Sequence, residues 1–187
     1  MLSDIENSIK ALSAGGVILY PTDTVWGLGC DMSQPKALAR IFVIKNIHSA
    51  RSLIILVNST DMLQEYAEDI PEIAFDLIQN AARPLTIIYP KARGPAKNVA
   101  AEDGSIAIRV IKHKFCCELI NVFGKPLTST SANLHGESAS ADFKLINPKL
   151  INAVDYVVPQ KYDEHNEVKA SQIIKINSSS MFEIIRK

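Results

Sequence analysis

The 187-residue chain is poor in the features that mark specialised proteins. It has no net charge, with twenty Lys plus Arg against twenty Asp plus Glu, and it carries three cysteines and one tryptophan. Neutrality argues against a uniformly cationic nucleic-acid coat. Cys30 stands alone and Cys116 and Cys117 are adjacent, so neither a disulfide framework nor a zinc pattern is expected, and the thiols read as inert. No apolar run approaches the roughly 20 residues that cross a bilayer, which excludes an integral membrane helix. The segment MLSDIENSIK carries acids early and has no apolar stretch, so no secretory signal is read there and a cytoplasmic location is the expectation. Walker A, G-x-G-x-x-G and G-x-S-x-G patterns are absent, as are internal repeats and low-complexity tracts.

What the chain has is an ordinary core composition, 47% hydrophobic, at a length that suits one compact domain over residues 1–187. The neutral total hides an uneven distribution. Residues 61–82 hold six acids and no base, whereas residues 83–125 hold eight bases and three acids. A local anion-binding region is therefore compatible with zero net charge.

The apolar pattern alternates between helical and strand periods. Ser3 and Glu6 match a capping box ahead of Ile5, Ile9 and Leu12, with Gly15 and Gly16 as the stop. Residues 17–20 form a short apolar strand ended by Pro21. Ser33 and Pro35 open a second helix that turns Ala37, Leu38, Ile41, Phe42 and Ile44 inward. Further strands are read at 53–57, 85–89, 106–110 and 127–130, and helices start at Thr60 and Pro71 and run over 114–122. Residues 173–176 and 182–185 form a closing hairpin, and 159–168 a polar surface loop. This order predicts an α/β fold with a mixed sheet covered by helices.

Four segments could carry chemistry. Pro21-Thr22-Asp23-Thr24-Val25-Trp26-Gly27-Leu28-Gly29-Cys30 follows a strand, where α/β proteins bind ligands, but read alone it is more simply a strand-to-helix turn around a buried tryptophan. Lys45 and Arg51 could reach nucleotide phosphates, or could be solvated cations at a helix C-terminus, the more economical reading. His48 reads as a surface residue. Arg109, on the apolar strand Ser105–Arg109, shares the face of Ala107 and must find an anion, either a structural carboxylate or a ligand's. Thr128-Ser129-Thr130-Ser131-Ala132-Asn133 is a dense hydroxyl run that could surround polar ligand groups or satisfy its own backbone.

In this order, Pro21–Asp31, the Lys45 segment leading into Leu53–Val57, Pro84–Thr86, Ser105–Arg109 and Ser129–Gly136 resemble the YrdC-type threonylcarbamoyl-AMP synthase family. Ser171 before Ile173 and Ile184-Ile185-Arg186 extend the resemblance over nearly the whole chain. PTDTVWGLGCD and STSANLHG are specific in combination. The resemblance implies a twisted mixed sheet with surrounding helices and a concave basic groove. It implies that L-threonine, bicarbonate and ATP, accompanied by Mg2+, are joined into threonylcarbamoyl-adenylate with release of pyrophosphate. Other proteins then transfer the threonylcarbamoyl group to adenosine 37 of tRNA. By position, Thr24, Arg109 and Ser131 would hold threonine. Arg51, Ser105, Asn133, Ser171 and Arg186 would hold the nucleotide, and Lys45 would act near the phosphates. The chain departs from the family pattern at Ile47, where an Arg is usual, at His48 for Pro, Arg51 for Lys or Asn, Trp26 for Tyr, His135 for Ser, and at Ala82-Arg83-Pro84 for Pro-Gly-Pro. The competing reading is a non-enzymatic relative that binds RNA or a nucleotide in the same groove, and a third is a paralogue that adenylates another carboxylate or carbamate.

Overall fold

The computed structural model describes residues 1–48, 52–140, 142–164, 170–177 and 181–187. The elements run α1 (Leu2–Ser13), β1 (Ile18–Tyr20), β2 (Gly27–Gly29), α2 (Pro35–Ile44), β3 (Ile54–Val57), α3 (Thr60–Tyr66), β4 (Ala67–Glu68), α4 (Glu72–Asn80), β5 (Leu85–Tyr89), β6 (Lys91–Ala92), β7 (Ile106–Val110), α5 (Lys114–Phe123), β8 (Leu127–Ser131), α6 (Pro148–Ala153), β9 (Tyr156–Val157), β10 (Gln172–Ile176) and β11 (Phe182–Arg186). Nine strands form one sheet in the order β11-β10-β5-β7-β3-β8-β2-β1-β9, and β4 and β6 form a small ribbon. The sheet is mixed, as expected. β3 pairs with β7 in parallel and with β8 antiparallel, and β5 pairs antiparallel with β7.

Alternation along the strands sorts side chains between the two faces. Ile106 and Ile108 of β7, Ile55 and Val57 of β3, and Ile87 of β5 join one buried cluster with residues of α2, α3 and α4. Leu56 and Leu127 point to the other face and join a second cluster with Ile5 and Leu12 of α1 and with Phe115, Leu119 and Ile120 of α5. Each such fully buried aliphatic side chain contributes about 1.5–3 kcal/mol by leaving water. On this second face Ile54 stands in register with Ala107 and with Ser129, and Leu56 with Arg109.

Several boundaries differ from the sequence reading. The capping box at Ser3 does not form. The helix begins at Leu2, and the amides of Asp4 and Ile5 donate to the Met1 carbonyl, which places Ser3 inside the first turn. Ser33 does not cap α2, because its amide and hydroxyl both donate to Asp31 Oδ1 (2.8 and 2.6 Å) and Gln34 takes the cap position. Pro21–Trp26 is not a strand-to-helix turn. It connects two antiparallel strands, with Tyr20 paired to Gly27. The strand β2 carries no β-branched residue, and its reason for being a strand is contact. A Cβ on Gly29 would lie 2.4 Å from the Thr128 carbonyl oxygen and 2.8 Å from the Tyr20 ring.

That closeness generates a stability prediction. Gly29→Ala forces β8 or Tyr20 to move and destabilises the fold by at least about 1–3 kcal/mol, read as a lowered midpoint in urea or thermal denaturation.

Candidate active site

The Pro21–Trp26 loop is ordered by its own hydroxyls. Thr22 Oγ1 donates to the Val25 carbonyl (2.7 Å) and accepts from the Thr24 amide (3.1 Å). Its proton being committed, the 3.0 Å contact between the two threonine hydroxyls has Thr24 as donor. Arg109 Nη1 then donates to Thr24 Oγ1 at 3.2 Å. The chain of bonds leaves Thr24 Oγ1 with acceptor capacity only.

Arg109 projects from β7 and is 5% exposed. Its second terminal nitrogen lies 3.3 Å from Asp23 Oδ1. Among the described residues, two buried side-chain polar atoms lack a hydrogen-bond partner, Arg109 Nε and Asp23 Oδ1. Buried donors of a charged group are rarely left unpaired, and an Arg short of partners in the wall of a cavity is a candidate to meet a ligand acceptor. The cavity is present. It measures about 280 Å3 and is lined by Thr22, Thr24, Arg109, Ser129, Ser131, Ser171 and Arg186 together with Trp26, Ser52 and Ile54. No carboxylate lines it among the described residues. A larger cavity of about 430 Å3 lies beyond Asp23 and is walled by Ile78, Pro84, Leu85 and Val110. The hydroxyls and guanidiniums gather at the smaller one.

Ser171 and Arg186 form the opposite wall. Arg186 Nε donates to the Ser171 carbonyl (2.9 Å) and Nη2 to its hydroxyl (3.3 Å), which also contacts Thr86 Oγ1 at 2.8 Å. Burial, and after it the like charge of Arg109, lower the Arg186 pKa from the usual guanidinium value. Two guanidiniums thus line one cavity, and one of them, Arg109, is paired with a carboxylate, Asp23, that does not line it; the arrangement suits a carboxylate or phosphate.

The family model Sua5/yciO/yrdC, described as "Telomere recombination", matches residues 10–187. The chain belongs to this family. It is 35% identical over 158 residues to the threonylcarbamoyl-AMP synthase of Xanthomonas axonopodis pv. citri, a stretch covering 83% of this chain and 84% of that protein. A synthase of the same name from Xanthomonas campestris pv. campestris is 32% identical over 159 residues, 83% of this chain and 84% of the other. The fold is that of E. coli YciO, with a TM-score of 0.86, 23% identity, and coverage of 100% of this chain and 90% of that one. P. abyssi Sua5 complexed with L-threonine superposes with a TM-score of 0.76 at 23% identity over 92% of this chain, which spans 50% of the Sua5 chain.

Within this member of the Sua5/yciO/yrdC family, the residues expected from sequence separate into two groups. Thr24, Arg109, Ser131, Ser171 and Arg186 come together around the cavity. Ser105 does not line it, because its hydroxyl and amide donate to Asp103 Oδ1 (2.5 and 3.0 Å). Asn133 directs Nδ2 to the Leu134 and Glu137 carbonyls, and its Oδ1 accepts from Ser131 Oγ. Arg51 lies outside the described residues. Ser129, Thr22 and Trp26 are wall residues that lie within the candidate segments but were given no role there. The signal for Ser129 was strand alternation with Ser131. Trp26 is buried, donates to Asp163 Oδ2 at 2.8 Å and packs edge-on to Phe143. Burial raises all three thiols, Cys30 to about 11, so they stay protonated at neutral pH.

Lys45 is 5% exposed, and its ammonium donates to the Ser131 carbonyl, the Asn133 carbonyl (2.8 Å) and Asn133 Oδ1 (3.4 Å). Its own carbonyl accepts from the His135 amide (2.9 Å), so the lysine braces the whole Ser131–His135 turn. Burial lowers its pKa from 10.5 to about 8, with Glu137 opposing.

Two outcomes follow for Lys45. Lys45→Met strands at least one carbonyl and costs at least about 1–3 kcal/mol of stability in chemical denaturation. The folded pKa lies below the unfolded one, so between pH 8 and 10.5 the unfolded chain binds the extra proton. The penalty of burying the charge is therefore full below about pH 8 and fades as pH rises toward 10.5. The unfolding free energy of wild type relative to Lys45→Met is expected to rise across that window in denaturation curves at stepped pH.

Proposed function

We propose that this chain, as one YrdC-like domain over residues 1–187, is an L-threonylcarbamoyladenylate synthase. It joins L-threonine, bicarbonate and ATP and releases pyrophosphate, as a nucleotidyltransferase acting in the cytoplasm. The observation that carries this reading is the buried Arg109 with an unpartnered Nε beside a 280 Å3 cavity that also holds Thr24, Ser131, Ser171 and Arg186. The names of the Xanthomonas relatives support the same reaction.

The threonine carboxylate pairs with the free N–H groups of Arg109. Thr24 Oγ1, limited to accepting, faces the amine or hydroxyl of the same substrate. The adenylate phosphate is held by Arg186 and Ser171, and Ser105, Asn133 and Arg51 support the nucleotide more remotely. The amine gives up a proton as it attacks the carbon of bicarbonate, whose hydroxyl leaves as water, and an oxygen of the resulting carbamate attacks the α-phosphate and displaces pyrophosphate. No covalent enzyme intermediate is needed, and the enzyme contributes position and fixed positive charge. Lys45 serves the phosphates through the Ser131–Asn133 turn that it braces. Among the described residues no group of three or more His, Cys, Asp or Glu could hold a metal ion. Mg2+ accompanies the ATP substrate in this reading, bound through phosphate oxygens. The product's consumers are the other tRNA-modification proteins that carry threonylcarbamoyl to adenosine 37, and direct tRNA binding belongs to the same proposal.

Purified protein given ATP, bicarbonate and Mg2+ is expected to release pyrophosphate only when threonine is added. Absence of that dependence, with a known synthase active in parallel, overturns the reading. Salt-sensitive RNA binding without turnover would favour the binding-protein alternative instead. Arg109→Ala is expected to abolish threonine binding in direct titration. Ile47→Arg, which restores the cation usual in the family, is expected to leave turnover equal or raise it. Strong inactivation would mean that the phosphate region is built around the aliphatic side chain.

A further inference from the structure

Arg109 is a buried cation on a strand whose in-register neighbour is the fully buried Leu56. Removing a guanidinium from water costs several kcal/mol unless an anion and hydrogen bonds compensate. Among the described residues, the one carboxylate paired with it is Asp23, whose side chain is 12% exposed. Asp23 does not enter the cavity that holds Thr24, Ser131 and Arg186. It lines an adjoining larger cavity, next to Val110 and Lys112, and Ala170 belongs to the walls of both. Asp23 therefore pairs with Arg109 at Nη2, Thr24 fixes Nη1, and Nε stays buried without a hydrogen-bond partner.

We propose that Asp23 is a positioning residue for the substrate carboxylate. It neutralises Arg109 in the absence of substrate and, together with Thr24, holds the guanidinium in one orientation in the wall of the cavity that Thr24, Ser131 and Arg186 also line. Asp23 touches neither the substrate nor the reacting atoms. Its contribution lies in threonine affinity, and ATP affinity and the chemical step are independent of it. The same carboxylate lies between Thr22 and Thr24, so one short loop supplies both clamps on Arg109 and couples the guanidinium's angle to the acceptor that faces the amine. This rests on the synthase reading above.

The test measures threonine and ATP affinities separately by titration, and steady-state pyrophosphate release, for wild type, Asp23→Asn and Asp23→Glu. Each variant is checked against the wild-type circular-dichroism spectrum. Asp23→Asn keeps the size and loses the charge, and is expected to raise threonine KM and Kd by about tenfold or more. ATP affinity and kcat are expected to stay within about twofold. Asp23→Glu is expected to recover most of the threonine affinity, because the carboxylate still reaches Nη2. If Asp23→Asn does not fold, Asp23→Ser is measured in its place, with the same rise in threonine KM at nearly unchanged kcat expected. Unchanged threonine affinity in a folded Asp23→Asn, or a loss shared equally by ATP and kcat, overturns the proposal. A wild type that shows no threonine-dependent release overturns the underlying reading instead, and the threonine titration of the variants still tests Asp23 on its own.

Discussion

The site depends on a single electrostatic problem, the guanidinium of Arg109 held inside the protein. A buried cation cannot be left alone, and the neighbouring structure is arranged around its needs. The Thr22–Thr24 turn supplies a carboxylate and a hydroxyl acceptor from one loop, and the hydroxyls of that loop orient each other. The compensation is incomplete, since Nε and Asp23 Oδ1 remain without hydrogen bonds. In a protein built only for stability that shortfall would be a defect. Beside a cavity rich in hydroxyls it supports the proposed role of Arg109 in holding a substrate carboxylate.

The loop can reach Arg109 because of what its flanking strands lack. β1 and β2 close into an antiparallel pair across Tyr20 and Gly27, and the absent side chain at Gly29 lets β8 approach within contact distance. That approach carries the Ser129–Ser131 hydroxyls to the cavity. The turn beyond β8 is held by Lys45 from the end of α2, which satisfies three acceptors at once. Arg109, Asp23 and Lys45 are thus three charges with structural duties, and two of them present polar edges to the substrate side through other residues.

Much of this was legible from residues alone. The bounds of β5 and β7 agree with the runs of β-branched residues, because an apolar strand buried among neighbours has few alternatives. Arg109 stood out as the polar member of such a run, and its face followed from alternation with Ile106 and Ile108. β2 was illegible, since Gly-Leu-Gly has no strand preference and is extended only because β1 and β8 enclose it. The first capping box misled because a matching Ser and Glu do not state which residue the backbone chooses to start from. Ser105 and Asn133 show a second limit. Sequence places a polar residue near a site, but its hydrogen bonds are decided by competitors such as Asp103 and the Glu137 carbonyl. Arg109 was expected to meet a structural carboxylate or a ligand, but no spacing in the sequence identifies Asp23 as that carboxylate, because the two meet only through the fold.

Neutral composition and a cavity built for anions are reconciled by the sheet. The acidic stretch 61–82 forms α3 and α4, which pack with Ile106 and Ile108 on one face. Arg109 leaves the same strand on the opposite face, where the second cluster of α1 and α5 covers only part of the surface. None of the six acids lines the cavity that Arg109 and Arg186 share, so they balance the total without a direct contact there. What does cancel there is local and chosen, one carboxylate from Asp23 against two guanidiniums. Of the two guanidiniums in that wall, Arg186 has hydrogen-bond partners in Ser171 but no carboxylate among its contacts in the described residues, which leaves its charge to be met by a carboxylate or a phosphate in the proposed reading.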